Sequence, residues 1–145
     1  MTFGKMVEVL GEKLGLELVD EGGATAIEVD GLPLILQQAN DDLLLIHADL
    51  GEMAPECREG IMSAAMEANY LYQGTGGATL SVNPRDGHLH LQKYNYLERL
   101  DAEKGFELLE RFAQTLQSWR NIIADYKPSQ QGTEAPLDVG GFMQV

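Results

Sequence analysis

His88 and His90 stand two residues apart in a stretch where polar and apolar residues alternate, so on a strand both imidazoles face one side and can supply two metal ligands. The same face carries Gln92, Tyr94 and Tyr96, and no carboxylate pair or cysteine cluster adjoins it in sequence, so a half-exposed strand face is expected and no metal centre. His47 lies inside the apolar run Leu43–Ala48 and reads as a core or interface histidine rather than a general base. Cys57, the only cysteine, excludes an internal disulfide and a cysteine-ligated zinc, and it stands near a helix start with no histidine partner in view. Neither Ser63 nor Ser81 sits in a nucleophile elbow, and the acidic residues form no spaced acid–base pair. The run Gly74-Thr75-Gly76-Gly77 follows a helix and precedes a strand, the reverse of a phosphate loop, and lacks a Gly-Lys-Ser/Thr ending. It reads as a helix end and a tight turn. Neither catalysis nor a cofactor is expected.

The elements that position these side chains follow from hydrophobic spacing. Phe3, Met6, Val7, Leu10 and Leu14 recur at three- and four-residue steps, the stripe of an amphipathic helix that Thr2 can cap and Gly15 can end. Thr25–Val29 and Leu32–Leu36 flank Asp30-Gly31, which predicts a hairpin, with Pro33 at a strand start or on an open edge. Leu43–Ala48 is apolar at nearly every position, so both faces of that strand are expected to be covered. Pro55 opens a second helix running to about Tyr72, with Ile61, Met62, Ala65, Met66 and Asn69 along one stripe. Ala78–Val82 and Leu89–Leu97 form a second hairpin around Asn83–Gly87, and Asp101 caps a third helix reaching Tyr126. The expectation is an α+β fold of about five antiparallel strands and three helices in the order α-β-β-β-α-β-β-α. It occupies residues 1–126 as one domain, and 127–145, without hydrophobic period, read as a flexible tail.

With 145 residues, 44% hydrophobic and 23% charged, the chain is of single-domain size and ordinary globular composition. A net charge of −13 repels phosphate backbones and anionic lipids, which argues against nucleic acid and membrane-surface partners. Glu8 and Glu12 interrupt the N-terminal stretch where a signal peptide needs apolar residues, and no later run approaches the ~18 apolar residues of a membrane span, so a cytoplasmic protein is expected. The charge is uneven, −10 over residues 1–59 against −3 over 60–145, which can steer a basic client. Three helices cover one face of a five-stranded sheet. The doubly apolar strand and the Met-rich second helix ask for further cover, supplied either by self-association or by an apolar peptide in a groove. The rival reading is a small ligand-binding domain or enzyme using His88, His90 and Tyr94.

The string Ala68-Asn69-Tyr70-Leu71-Tyr72-Gln73-Gly74-Thr75-Gly76-Gly77-Ala78-Thr79-Leu80-Ser81-Val82 resembles the link between second helix and fourth strand in class I type III secretion chaperones, the CesT/SycE-like family. The resemblance continues through Leu89-His90-Leu91-Gln92, Leu97–Asp101 and the helix containing Trp119-Arg120, and covers about residues 1–126. It implies a small acidic cytoplasmic homodimer that consumes no ATP and binds the N-terminal segment of a secreted effector in extended form, keeping it soluble and export-competent. Family members that bind regulators of secretion gene expression leave a regulatory adaptor as the alternative. Carried onto this chain, the layout places the dimer interface at Ile61, Met62, Ala65, Met66, Asn69 and Thr79-Leu80-Ser81-Val82. It places client pockets at Phe3, Met6, Val7, Leu10, Leu34, Leu36, Leu44 and Ile46. On that assignment, Leu10→Asp or Ile46→Asp is expected to weaken effector binding without abolishing the fold.

Overall fold

Thr2 accepts the Lys5 N–H at 3.1 Å and so caps α1 (Phe3–Leu14), which Gly15 ends in the left-handed region at φ 68°. In this computed structural model, which describes residues 1–128, the chain continues as β1 (Ala24–Val29), β2 (Leu32–Asn40), β3 (Leu43–Asp49), α2 (Pro55–Asn69), β4 (Thr79–Val82), β5 (Leu89–Tyr96) and α3 (Ala102–Asp125). The strands form one antiparallel sheet in the order β1-β2-β3-β5-β4, so the α+β layout holds, with β1 and β4 as its edges. Residues 129–145, most of the expected tail, lie outside the described residues. No helix among the described residues is long and apolar enough to cross a membrane.

Contacts divide the described residues into two compact units, Met1–Ala48 with Gln92–Ala113, and Asp49–Leu91 with residues 114–128. In the first, Asp30 (φ 53°) and Gly31 (φ 80°) both take positive φ, the two-residue turn whose twist matches a hairpin. Val29 pairs with Leu32 beside the turn and Glu28 with Pro33 one step on. The flanking pair exchanges ladder bonds and the next does not, so the missing Pro33 donor costs this ladder nothing. Pro33 stands near the start of β2, beyond the stretch registered with β3, which runs from Ile35 opposite His47 to Asn40 opposite Leu43. Phe3, Met6, Val7 and Leu10 of α1 are buried together with alternate residues of β1, β2 and β3 and with Leu109 and Phe112 of α3. A Cβ on Gly105 would stand 2.7 Å from Met6 Sδ, so the close approach of α3 to α1 requires glycine there.

In the second unit α2 buries Ile61, Ala64, Ala65 and Ala68 and stops at Asn69, three residues before the expected end. Asn69 uses its carboxamide on the backbone of Leu80, donating to the carbonyl at 2.9 Å and accepting the N–H at 2.8 Å. The Gly74 N–H closes the helix end on the Ala68 carbonyl at 2.9 Å, and Leu71 (φ 51°) and Tyr72 (φ 57°) turn left-handed in between. The glycine run is thus a helix end and turn, as expected, and the Gly74 carbonyl accepts the indole N–H of fully buried Trp119 at 2.9 Å.

Candidate functional site

β3 ends at Asp49, and the turn leading into β5 is held by its own side chains. Asn83 Oδ1 accepts the Arg85 N–H and Asp86 Oδ1 accepts the His88 N–H, each at 2.9 Å. The result brings His88 Nδ1 to 2.9 Å from Asp49 Oδ2 and 3.7 Å from Asp86 Oδ2. Asp49 Oδ1 also accepts the Gly51 N–H at 2.6 Å and lies 3.8 Å from Nε2 of His90. One donor atom each from Asp49, Asp86 and His88 falls within 4.8 Å of the others, so the fold adds Asp49 to Asp86 and completes the carboxylate pair that the flanking sequence lacks. The rest of the histidine face behaves as expected, with Gln92, Tyr94 and Tyr96 exposed and Leu89 and Leu91 turned into the core.

The Asp49 hydrogen bond raises the His88 pKa, partial burial opposes it, and the charges of Asp49, Asp86 and Glu52 add to the rise. Partial burial would raise Asp49, but the His88 and Gly51 hydrogen bonds and the imidazoles outweigh it and hold the carboxyl below its ordinary value. The pair therefore stabilises the fold fully from above the unfolded Asp value of about 4 to below the unfolded His value of about 6.5. That contribution is lost as pH rises through the elevated His88 pKa and as pH falls through the lowered Asp49 pKa. In metal-free buffer, urea midpoints of the wild type and His88→Gln are expected to differ more at about pH 5.5 than at about pH 8.5. An equal difference at both pH values would show that the pair does not titrate as an ion pair.

In the first unit a cleft of about 560 Å³ opens beside α1. Val7, Gly11, Leu16 and Leu18 give it small and apolar walls, and Glu8, Glu12, Glu17 and Asp20 rim it with negative charge. In the second unit Met66, Tyr70, Leu71 and Tyr72 are 52–72% exposed, an apolar group at the end of α2 with no cover from their own subunit. Of these, only Met66 is among the expected interface residues; the sequence places the other three in the last turn of a helix, and the left-handed backbone of Leu71 and Tyr72 has no local signal.

The residues expected to line client pockets are placed elsewhere. Phe3, Met6, Val7, Leu10, Leu34, Leu36, Leu44 and Ile46 are all 3% exposed or less and form the core of the subunit. Only Val7 also touches the α1 cleft. Among the residues assigned to the dimer interface, Ile61, Ala65 and Leu80 are buried in their own subunit, and Asn69 is occupied with Leu80. Met62, Thr79, Ser81 and Val82 are half-buried, and Met66 is exposed. β3 departs from its doubly covered expectation, since Leu44, Ile46 and Ala48 are buried while Leu43, Leu45 and His47 are half-buried. His47 Nε2 lies 3.1 Å from Gln37 Oε1, an ordinary surface pairing.

No curated protein sequence matches the chain. Among solved structures it is similar to the ExoT–SpcS complex from Pseudomonas aeruginosa, at 21% identity and TM-score 0.62, covering 78% of this chain and 92% of that one. It is similar to the HopA1–SchA chaperone–effector complex at 19% identity and TM-score 0.64, covering 86% and 94%. The third likeness is the Yersinia pestis type III secretion chaperone SycH, solved with a stable fragment of YscM2, at 16% identity and TM-score 0.65, covering 81% and 99%. At these identities the likeness is one of fold. Residues 5–120 match the Tir chaperone protein (CesT) family across α1, the sheet, α2 and most of α3, and the chain belongs to that family.

Proposed function

We propose that this protein is a homodimeric type III secretion chaperone of the bacterial cytoplasm, not an enzyme. It binds the N-terminal segment of a secreted effector in extended form and keeps it soluble and secretion-competent. The observation that carries the reading is family membership over residues 5–120, most of the domain taken as residues 1–126. Two surfaces supply the means. The acid-rimmed cleft beside α1 fits an apolar side chain of an extended segment flanked by basic residues. Edge strand β1 offers the backbone groups for strand addition: with Val29–Leu32 and Ile27–Leu34 as the bonded pairs, those of Ala26 point away from β2. On the opposite edge, the Asn69 carboxamide already occupies Leu80.

Mass spectrometry of proteins co-purifying from the native bacterium identifies the client, and co-purification of its N-terminal segment then tests the surfaces. Leu18→Asp in the cleft and Ala26→Pro on the open edge are each expected to lower recovery of that segment about tenfold or more, with the circular dichroism spectrum retained. Wild-type recovery from both variants would place the client elsewhere. A regulator of secretion genes as the principal client would select the adaptor reading of the same fold.

A further inference from the structure

The cluster at the end of β3 has the chemistry of a metal centre, which a chaperone has no need of for holding a peptide. His88 Nδ1 stands 2.9 Å from Asp49 Oδ2 and 3.7 Å from Asp86 Oδ2. A tetrahedral Zn²⁺ with bonds of about 2.0–2.2 Å sets its ligand atoms about 3.3–3.5 Å apart, between those two spacings. Both His88 spacings are within a few tenths of an ångström of that value, and the ligand atoms of all three residues lie within 4.8 Å of one another. The other oxygens of both carboxylates are already engaged, Asp49 Oδ1 by the Gly51 N–H and Asp86 Oδ1 by the His88 N–H. Such outer hydrogen bonds orient ligating oxygens and leave Oδ2 of each directed at the imidazole.

A second observation comes from the neighbouring histidine. Nε2 of His90 is fully buried and has no hydrogen-bond partner, although an imidazole nitrogen ordinarily finds one. It lies 3.8 Å from Asp49 Oδ1. A water bound to a cation held by Asp49 and His88 would give this nitrogen a partner.

We propose that Asp49, Asp86 and His88 form a binding site for a divalent transition metal of the zinc class, with His90 beside it, joined to the site through a bound water. The mixture of imidazole and carboxylate favours Zn²⁺ over Mg²⁺ or Ca²⁺, which prefer all-oxygen shells. Bound there, the ion ties the Asn83–His88 turn to the end of β3, two segments joined now by the His88–Asp49 pair. The site is independent of the client surfaces, and its failure would leave the chaperone reading untouched. Binding displaces a proton from His88, so affinity falls on acidification.

Calorimetric titration of chelator-treated full-length protein with ZnCl₂ is the test, with MgCl₂ as comparison. One Zn²⁺ per subunit is expected, with a rise in melting temperature under saturating zinc and no response to magnesium. Co²⁺ in its place is expected to show the visible absorption of a tetrahedral site. Asp86→Asn, which is exposed and keeps an Oδ1 acceptor for the His88 N–H, is expected to weaken zinc binding at least tenfold, His88→Gln to abolish it, and His47→Gln to change nothing. If His88→Gln does not fold, Asp86→Asn alone decides. Absence of zinc binding by the wild type, or binding left intact by Asp86→Asn, overturns the proposal, as does weak binding at several sites insensitive to these substitutions.

Discussion

Leu10→Asp is expected to abolish folding of the subunit. Leu10 is 0% exposed on the inward stripe of α1, and truncation of such a side chain to alanine costs about 2–5 kcal/mol. The carboxylate adds a second cost. To avoid a buried charge it must take up a proton at neutral pH, and raising its pKa from about 4 to near 7 costs about 4 kcal/mol. The sum, about 6–9 kcal/mol, is comparable with the whole stability of a domain this size, about 5–15 kcal/mol. Leu16→Asp, at a position 43% exposed on the rim of the cleft, is expected to melt near the wild type. Circular dichroism melting of the two variants makes the comparison. A Leu10→Asp variant that melts like the wild type would place the α1 stripe outside the core. Ile46, also 0% exposed, follows the same logic, so neither substitution reports on a client as first expected.

That reversal marks where sequence reading stopped. The α1 stripe, its Thr2 cap and its Gly15 end were legible because each is a local rule, as was the Asp30-Gly31 hairpin. Periodicity tells which side of a helix avoids water but not whether the cover belongs to the same chain or to a client. Phe3 through Ile46 were therefore assigned to a client by resemblance although their own subunit buries them. The end of α2 was illegible for a different reason. Helical spacing runs on through Tyr72, and what stops it is the Asn69 carboxamide bonded to Leu80, eleven residues away. Leu43 and Leu45 are half-buried on β3, the central strand, where cross-strand neighbours shade the face opposite Leu44 and Ile46.

The cluster of Asp49, Asp86, His88 and His90 shows the same limit. His88 and His90 are visible as a pair in the sequence, which offers no adjoining carboxylate pair and no cysteine cluster to complete a metal centre. The decisive partner is 39 residues away in sequence and meets His88 only once the sheet has formed. Asp86 was nearby, but its Oδ2 faces the imidazole only because Oδ1 is fixed by the His88 N–H. Turn geometry rather than composition creates the site.

Met66→Asp is expected to leave the subunit folded and remove its partner. Met66 is 72% exposed, so in the isolated subunit the carboxylate remains in water and costs no more than about 1 kcal/mol through lower helix propensity and the nearby helix C-terminus. Leu71 and Tyr72 beside it hold left-handed backbones, each at a cost of about 1–2 kcal/mol, and turn large apolar side chains to solvent. Burial of this group against its two-fold copy would offset that cost and withdraw Tyr70, Leu71 and Tyr72 from water together. Two-fold symmetry also places the substitution in the interface twice, so two carboxylates are desolvated, at several kcal/mol in all. Light scattering at micromolar concentration is expected to give a dimer for the wild type and a monomer for Met66→Asp, with matching circular dichroism spectra. A variant that remains dimeric with unchanged affinity moves the interface off this end of α2. A wild type that is monomeric throughout removes the homodimer, and the apolar group at Met66–Tyr72 would then belong to a different partner.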